Sequence, residues 1–436
     1  MSALMKSLLG ACALSTLAFA AQAETTLQIA TVNNGDMITM QQLTDDFTKA
    51  NPDIKLNWVT LEENDLRQKV TKDIATKGGQ YDVLTIGTYE TPIWGKKKWL
   101  VPLTGVDKPD DLLPAIRAGL TVDKTLYASP FYGESSFTMY RKDLFEKAGL
   151  KMPDKPTWDF IAEAAKKTTD RAAGINGICL RGKAGWGENM AFLDAAANSM
   201  GASWFDMKWE PQFDTPEWKK TLTYYLDIMK AAGPEGASGN GFSENLALFQ
   251  SGKCAMWIDA TSAGSHVSDP KEAPMVADKT GFALAPDAGL GKRGNWLWSW
   301  ALAIPAGTKN PAAAQKFIGW ATSQHYLDYV ASKRGWVAVP PGTRTSLYEN
   351  ANYQKAASFA KATLDSIDSA DPDHPTVKPV PYTGVQFVAI PEFQGIGTKV
   401  GEIFSAALAG QMTADAALKE AQDYTKAEMT KAGYIK

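Results

Sequence analysis

The sequence predicts an α/β protein of two lobes, each a sheet flanked by helices, joined by a hinge of several strands. Residues 26–86 run strand, helix, strand, helix, strand, the rhythm of an α/β unit with a parallel sheet. A second unit begins with the long extended run 126–140. Three extended stretches carry the chain between the units: near Pro130 and Phe131, near Asn295 to Trp298, and near Val339 to Gly342. Several strands linking two lobes bend without sliding. These crossings divide the chain into a leader (1–23), a first lobe (24–130 with 299–340) and a second lobe (131–298 with 341–436).

The leader reads as a secretory signal. Lys6 supplies the positive start, 8–21 is apolar, and Ala21, Gln22, Ala23 form a small-residue cleavage site before Glu24. Leu9 to Cys12 loosely resembles a lipoprotein site, but the apolar segment runs on past Cys12. An exported, soluble, periplasmic protein is expected.

In the first unit, the strand 26–32 is stopped by Asn33 and Asn34. A helix over 37–50 ends at Asn51 and Pro52. The strand 54–61 alternates, Glu62 to Asn64 opens a helix over 65–75, and Gly78 with Gly79 ends it. The strand 81–86 is short and apolar, followed by Thr88, Tyr89 and Glu90. Ligands of open parallel sheets sit beyond the carboxyl ends of the strands. The loops at those ends offer amide, carboxylate, hydroxyl and phenol, with no glycine fingerprint for phosphate. That suits a neutral polar ligand, although Asn34 and Glu62 are equally good helix caps.

In the second unit we expect helices over 159–168, 189–200, 215–232 and 242–251, and strands over 177–180, 254–259 and 282–285. Between them, 182–187 is a mobile loop by composition. Trp296, Trp298 and Trp300 alternate, so they share one face of a strand that becomes continuously apolar toward Pro305. Either they form an aromatic core strand or they offer indole faces to a ligand at a cleft mouth. A helix over 312–321 follows, and from 352 onward the reading is mostly helical.

The chain has 436 residues, 44% hydrophobic, with 45 basic and 48 acidic side chains. The near-neutral balance argues against nucleic acid, which demands a basic face. Only His266, His325 and His374 are present, without metal-ligand spacing, so no metal and no cofactor is expected. No GxSxG elbow occurs. Beyond the leader, Cys179 and Cys254 lie in apolar, strand-like settings that favour free buried thiols, though an oxidising compartment permits a bridge.

Several blocks together resemble the periplasmic solute-binding proteins of carbohydrate ABC importers, of the maltose-binding-protein type. They are the strand containing Tyr81, Asp82 and Val83, the run from Tyr140 to Leu150, the run from Phe249 to Met256, the run from Ala301 to Pro305, and Ile390 to Phe393. The resemblance covers essentially the whole chain after the leader. It is greatest to the binders of sugar alcohols such as mannitol and sorbitol. It implies the two-lobed periplasmic-binding-protein fold, a monomer, no catalysis, a small polyol as ligand and importer permease subunits as partners. It also implies ligand contacts at Asn34, Glu63 (or Glu62), Tyr89 and Glu90 after the first three strands. Tyr132 and Glu134 would contribute at the first crossing, Arg181, Trp186 and Asp259 from the second lobe, and Trp298, Trp300 and Arg334 at the later crossings. Where the maltose binder stacks a tryptophan after the position of Asp259, this chain has Thr261 and Ser262, which favours a smaller guest. A mono- or disaccharide binder is the alternative within the type. A secreted carbohydrate-active enzyme, with Glu62 and Glu63 or Glu134 and Asp259 as its carboxylate pair, is the alternative of another class.

Overall fold

A computed structural model of the protein describes residues 24–436. The expected leader, residues 1–23 with Cys12, lies outside the described residues. The strands, in chain order, are β1 (Thr25–Val32), β2 (Ile54–Leu61), β3 (Val83–Gly87), β4 (Thr121–Val122), β5 (Thr125–Leu126), β6 (Ala128–Glu134), β7 (Ser136–Arg141), β8 (Met256–Ala260), β9 (Thr280–Leu284) and β10 (Trp298–Ala303). One sheet has the order β2-β1-β3-β10-β6, another β8-β7-β9, and β4 with β5 makes a small hairpin.

The first sheet is parallel where expected, with β1 between β2 and β3. It becomes mixed because β10 enters antiparallel to both β3 and β6. The second sheet is antiparallel around β7. The expected strand over 177–180 makes only one isolated bridge, Cys179 to Trp257. Each sheet is flanked by helices, so the molecule has two lobes. Leu27, Ile29, Val83, Leu84, Ala301 and Leu302, all almost fully buried, form the centre of the first.

The strand β6 passes through Ser135 directly into β7, so one extended run leaves the first sheet and enters the second. The change of sheet falls at Ser135 rather than near Pro130 and Phe131. β6 stays paired with β10 as far as Glu134, and a bulge between Trp300 and Ala301 absorbs the residue beside the proline. Proline is tolerated in a sheet at such a bulge. The second crossing leads from β9 through Asn295 into β10. Asn295 donates from Nδ2 to Ser135 Oγ (3.1 Å) and to Ser366 O (2.8 Å), tying the first two crossings together. The third touches the first where Gly133 N–H donates to Pro341 O (3.0 Å). A Cβ on Gly342 would sit 1.8 Å from Gly133 O, so the two crossings approach closely because neither glycine has a side chain.

Two helical expectations change. The span 37–50 is two helices, Gly35–Gln42 and Asp45–Ala50, because Leu43 closes the first. The span after 352 breaks between the helices Ala360–Ser369 and Phe393–Leu408. Pro372, Pro375, Pro379, Pro381 and Pro391 fall in that gap, and each removes a backbone donor.

The cysteines are corrected too. Cys179 and Cys254 form a disulfide, with Cα atoms 5.9 Å apart. Adjacent chain segments bring them together: Asn176 bridges Cys254, and Cys179 bridges Trp257. An apolar setting is therefore no sign of a free thiol.

Candidate binding cleft

The groove between the lobes takes its lining from both sheets and from two loop systems. Tyr132 and Glu134 are two residues apart on β6, and Trp298 and Trp300 two apart on β10. The antiparallel register sets Glu134 opposite Trp298 and Tyr132 opposite Trp300. Side chains alternate along a strand, so all four share one face. That face lines the groove.

Asn34 lies just past β1. Its Oδ1 accepts the Met37 N–H (3.0 Å), capping the Gly35–Gln42 helix, while its Nδ2 donates to Tyr132 Oη (2.7 Å). It is therefore a cap and a lining residue at once. Glu63 opens the Glu63–Thr76 helix and lines the groove. Its Oε1 accepts Nε (3.0 Å) and Nη2 (2.8 Å) of Arg67, one turn further on, leaving Oε2 free of protein donors.

Arg67 holds this half together. It is 4% exposed, and its Nη1 donates to Glu90 Oε1 (2.6 Å). Its guanidinium lies 3.9 Å from the ring centre of Trp186, 4.8 Å from Trp298 and 4.7 Å from Trp300. Trp186 belongs to the other lobe, so this cation–π contact bridges the two lobes.

The second lobe presents Arg181 and the loop Lys183 to Gly187. Arg181 is gripped by Asp259, with Nη2 to Oδ1 at 2.6 Å and Nε to Oδ2 at 2.9 Å, and it donates from Nη1 to Gly187 O (2.8 Å). The loop rests on the Asn189–Ser199 helix, every residue of which is buried. Asn189 Oδ1 accepts the Gly185 N–H (3.2 Å) and its Nδ2 donates to Gly401 O (2.8 Å). The loop also reaches the first lobe: Asn64 Nδ2 donates to Ala184 O (3.0 Å), and Lys183 pairs with Glu62. Trp186 is 2% exposed and its indole N–H has no protein acceptor.

Burial sets the charge states. Glu134 is pushed up to about 8, first by burial and then by Asp259 and Glu63, against the Ser262 hydroxyl and Arg181. Burial likewise pushes Glu188 up to about 8, against Arg181. Near Asn34, His266 of the second lobe lies 3.7 Å from Asp36 Oδ2 and 2.7 Å from Glu272 Oε2. Burial opposes its charge, but the two carboxylates outweigh that and raise it to about 10.

Of the residues expected at the site, Asn34, Glu63, Tyr132, Glu134, Arg181, Trp186, Trp298 and Trp300 line the groove. Four do not. Asp259 is fully buried behind Arg181; Trp257 Nε1 (3.0 Å) and the Ala260 N–H (2.7 Å) also donate to it, so it positions the guanidinium. Glu90 does the same for Arg67, its Oε2 accepting the Gly87 N–H (2.9 Å). The Tyr89 hydroxyl donates across the lobes to Ile390 O (2.9 Å). Arg334 donates to Gln42 Oε1 (2.6 Å), away from the groove. Sequence reasoning missed Arg67, Lys183, Glu188, Phe242 and Gln386, all of which line it. Arg67 was detectable as the i+4 partner of Glu63 on a helix.

The arrangement suits hydrogen bonding to a neutral ligand better than acid–base chemistry. Both oxygens of Asp259 are held by protein donors, Glu63 is held by Arg67 and Glu62 by Lys183. Neither pair named from the sequence, Glu62 with Glu63 or Glu134 with Asp259, has both members free of protein donors. Among the described residues, no group of three or more His, Cys, Asp or Glu side chains is placed to hold a metal, and no helix is long and apolar enough to cross a membrane.

This fold and this groove define a binding protein with a cleft between two lobes, and the chain belongs to the bacterial extracellular solute-binding proteins, whose family pattern matches residues 33–326. It is 56% identical over 435 residues to a mannitol-binding protein of Pseudomonas aeruginosa, covering 99% of both chains. It is 72% identical to an ABC transporter solute-binding protein of Agrobacterium vitis, solved with bound D-mannitol; the two superpose with a TM-score of 0.93 over 94% of this chain and 100% of that one. A solute-binding protein of Agrobacterium radiobacter, in complex with ribitol, shares the fold at 24% identity, with a TM-score of 0.81 over 93% of this chain and 99% of that one.

Proposed function

We propose that the protein binds D-mannitol, or a closely related hexitol, in the periplasm and delivers it unchanged to an ABC importer. The observation that carries this reading is a groove lined from both lobes by uncommitted acceptors and donors beside indole rings. Glu134 Oε1, Glu63 Oε2 and the Trp186 indole N–H have no protein partner among the described residues. A hexitol has a hydroxyl on every carbon, and each buried hydroxyl left unpaired costs about 1–3 kcal/mol. Carboxylates and Arg181 suit vicinal hydroxyls, and the C–H faces suit Trp298 and Trp300. The names and bound ligand of the Pseudomonas and Agrobacterium vitis relatives support the same reading.

In this reading, Asn34, Glu63, Tyr132, Glu134, Arg181, Trp186, Trp298 and Trp300 touch the ligand, and the lobes meet at Ser135, Asn295–Leu297 and 339–342. The ligand bonds to both lobes only when they are shut, so it draws the population that way. Family membership and the leader support a periplasmic monomer with permease partners, and the binding-protein names of the family and the Pseudomonas relative support binding without catalysis.

A thermal-shift screen across hexitols, pentitols, hexoses and maltose tests this, with recovery of the ligand afterwards. A ligand specific to the native form raises the melting temperature. D-mannitol should give the largest rise and be recovered intact. A larger rise with maltose, or a chemically altered hexitol, overturns the proposal.

A further inference from the structure

We infer that the cleft also takes an amino-hexitol, a hexitol with one hydroxyl replaced by an ammonium group, and seats that cation against Glu134. The inference rests on the hexitol-binding reading above and on how the cleft's charges are already spent.

The groove is lined by Glu62, Glu63, Glu134, Glu188 and Glu244, against Arg67, Arg181 and Lys183. Every cation is committed within the protein. Arg67 serves Glu63 and Glu90. Arg181 serves Asp259 and, at 3.5 Å, Glu188. Lys183 serves Glu62 and, at 3.9 Å, Glu188. Glu134 has no cation within ion-pair distance among the described residues. It is 6% exposed, its Oε2 accepts the Ser262 hydroxyl (2.6 Å), and its Oε1 accepts nothing from the protein. A buried carboxyl with a free oxygen thus faces the solute and has no counter-charge.

An ammonium brings three donors and a positive charge, and hydrogen bonds between ionised partners are roughly twice as strong as neutral ones. It also replaces a hydroxyl with little change in size. An anionic hexonate meets the reverse situation: the arginines that could receive its carboxylate are already occupied, Glu63 repels it, and Glu134, neutral below about pH 8, offers it no counter-charge. The groups around Glu134 are Tyr132 on its own strand, Trp298 opposite on β10, Ser262, Glu63 from the Glu63–Thr76 helix, and the Arg181–Asp259 pair. Arg181 is the cation among them, and Asp259 largely neutralises it.

The proton balance is simple. Below about pH 8 the Glu134 carboxyl is protonated, chiefly because it is buried. Seating an ammonium there releases that proton to solvent and leaves a carboxylate–ammonium pair. The affinity of the amino-hexitol relative to D-mannitol therefore rises with pH, by up to about tenfold per unit, until the carboxyl ionises on its own.

Calorimetric titration of the full-length mature protein tests this with D-mannitol, 1-amino-1-deoxy-D-mannitol, 2-amino-2-deoxy-D-mannitol and D-mannonate, at pH 6 and pH 8. At least one amino-hexitol should bind, and its affinity relative to D-mannitol should rise about tenfold or more between the two pH values. In Glu134→Gln, whatever happens to absolute affinity, that ratio should become flat with pH. D-mannonate should bind at least about a hundredfold more weakly than D-mannitol. If D-mannitol binds and neither amino-hexitol does, or the ratio is flat in the native protein, the inference is wrong. If D-mannitol itself fails to bind, the underlying functional reading fails as well.

Discussion

Gly187→Ala should weaken D-mannitol binding by blocking closure while leaving the unliganded protein intact. Gly187 belongs to the second lobe and faces Glu63 of the first. A Cβ there would lie 2.0 Å from Glu63 Oε1 and 3.1 Å from Arg67 Nε. Glu63 cannot simply swing aside, because its Oε1 accepts two hydrogen bonds from Arg67, which Glu90 holds from the other side. Extra atoms forced into a packed contact cost about 1–3 kcal/mol. At about 1.4 kcal/mol per decade, binding should weaken by about 5- to 150-fold. The clash exists only between closed lobes, so the unliganded protein can avoid it by opening. Its melting temperature should stay within about 2 °C of the parent, while the rise produced by a fixed D-mannitol concentration shrinks. Calorimetry and thermal melts on the same preparation supply both numbers. Unchanged affinity, or an affinity loss matched by a lower unliganded melting temperature, would refute the closure argument.

Asp259→Ala should abolish measurable D-mannitol binding and destabilise the fold by about 3–5 kcal/mol, since it strands the buried charge of Arg181; urea denaturation and calorimetry check the two halves. With D-mannitol at saturating concentration to hold the lobes shut, the melting temperature should fall between pH 6 and pH 9. Glu134 is raised from an ordinary 4.5 to about 8, so its contribution is complete below 4.5 and is lost as pH rises through 8. His266 is raised from 6.5 to about 10, so its contribution is complete below 6.5 and is lost as pH rises through 10. Glu134→Gln should remove part of the slope, which a pH series of melts would show. Replacing Cys179 and Cys254 together by serine opens a loop spanning a separation of 75 residues and should cost about 4 kcal/mol, read from denaturant midpoints.

The fold was legible wherever side-chain period and turn chemistry agree. The strands of the first lobe stood out because apolar alternation stops at Asn33–Asn34, at Glu62 and at Thr88, and the loops after the first two of these strands line the groove. Trp298 and Trp300 were legible because a period of two fixes a shared face without knowledge of the neighbours. What the sequence hid is partnership. Asp259 and Arg181 both carry the chemistry of a polyol contact, but only the fold shows one consumed in positioning the other. Arg334 and Tyr89 are likewise plausible by type and spent elsewhere, on Gln42 and on the Ile390 carbonyl. The disulfide depends on a meeting between residues far apart in the chain, which apolar surroundings do not reveal. Gln386 lies in a proline-broken stretch with no period to read, yet its Nε2 donates to Leu297 O (2.8 Å) and it lines the groove.

A crystal structure of the protein grown with D-mannitol tests the central claim most directly. The account requires a closed molecule with the hexitol between the lobes, its hydroxyls bonded to Glu63 or Glu134 on one side and to Arg181 on the other. A hexitol held by one lobe alone, or bound outside the groove, would contradict it.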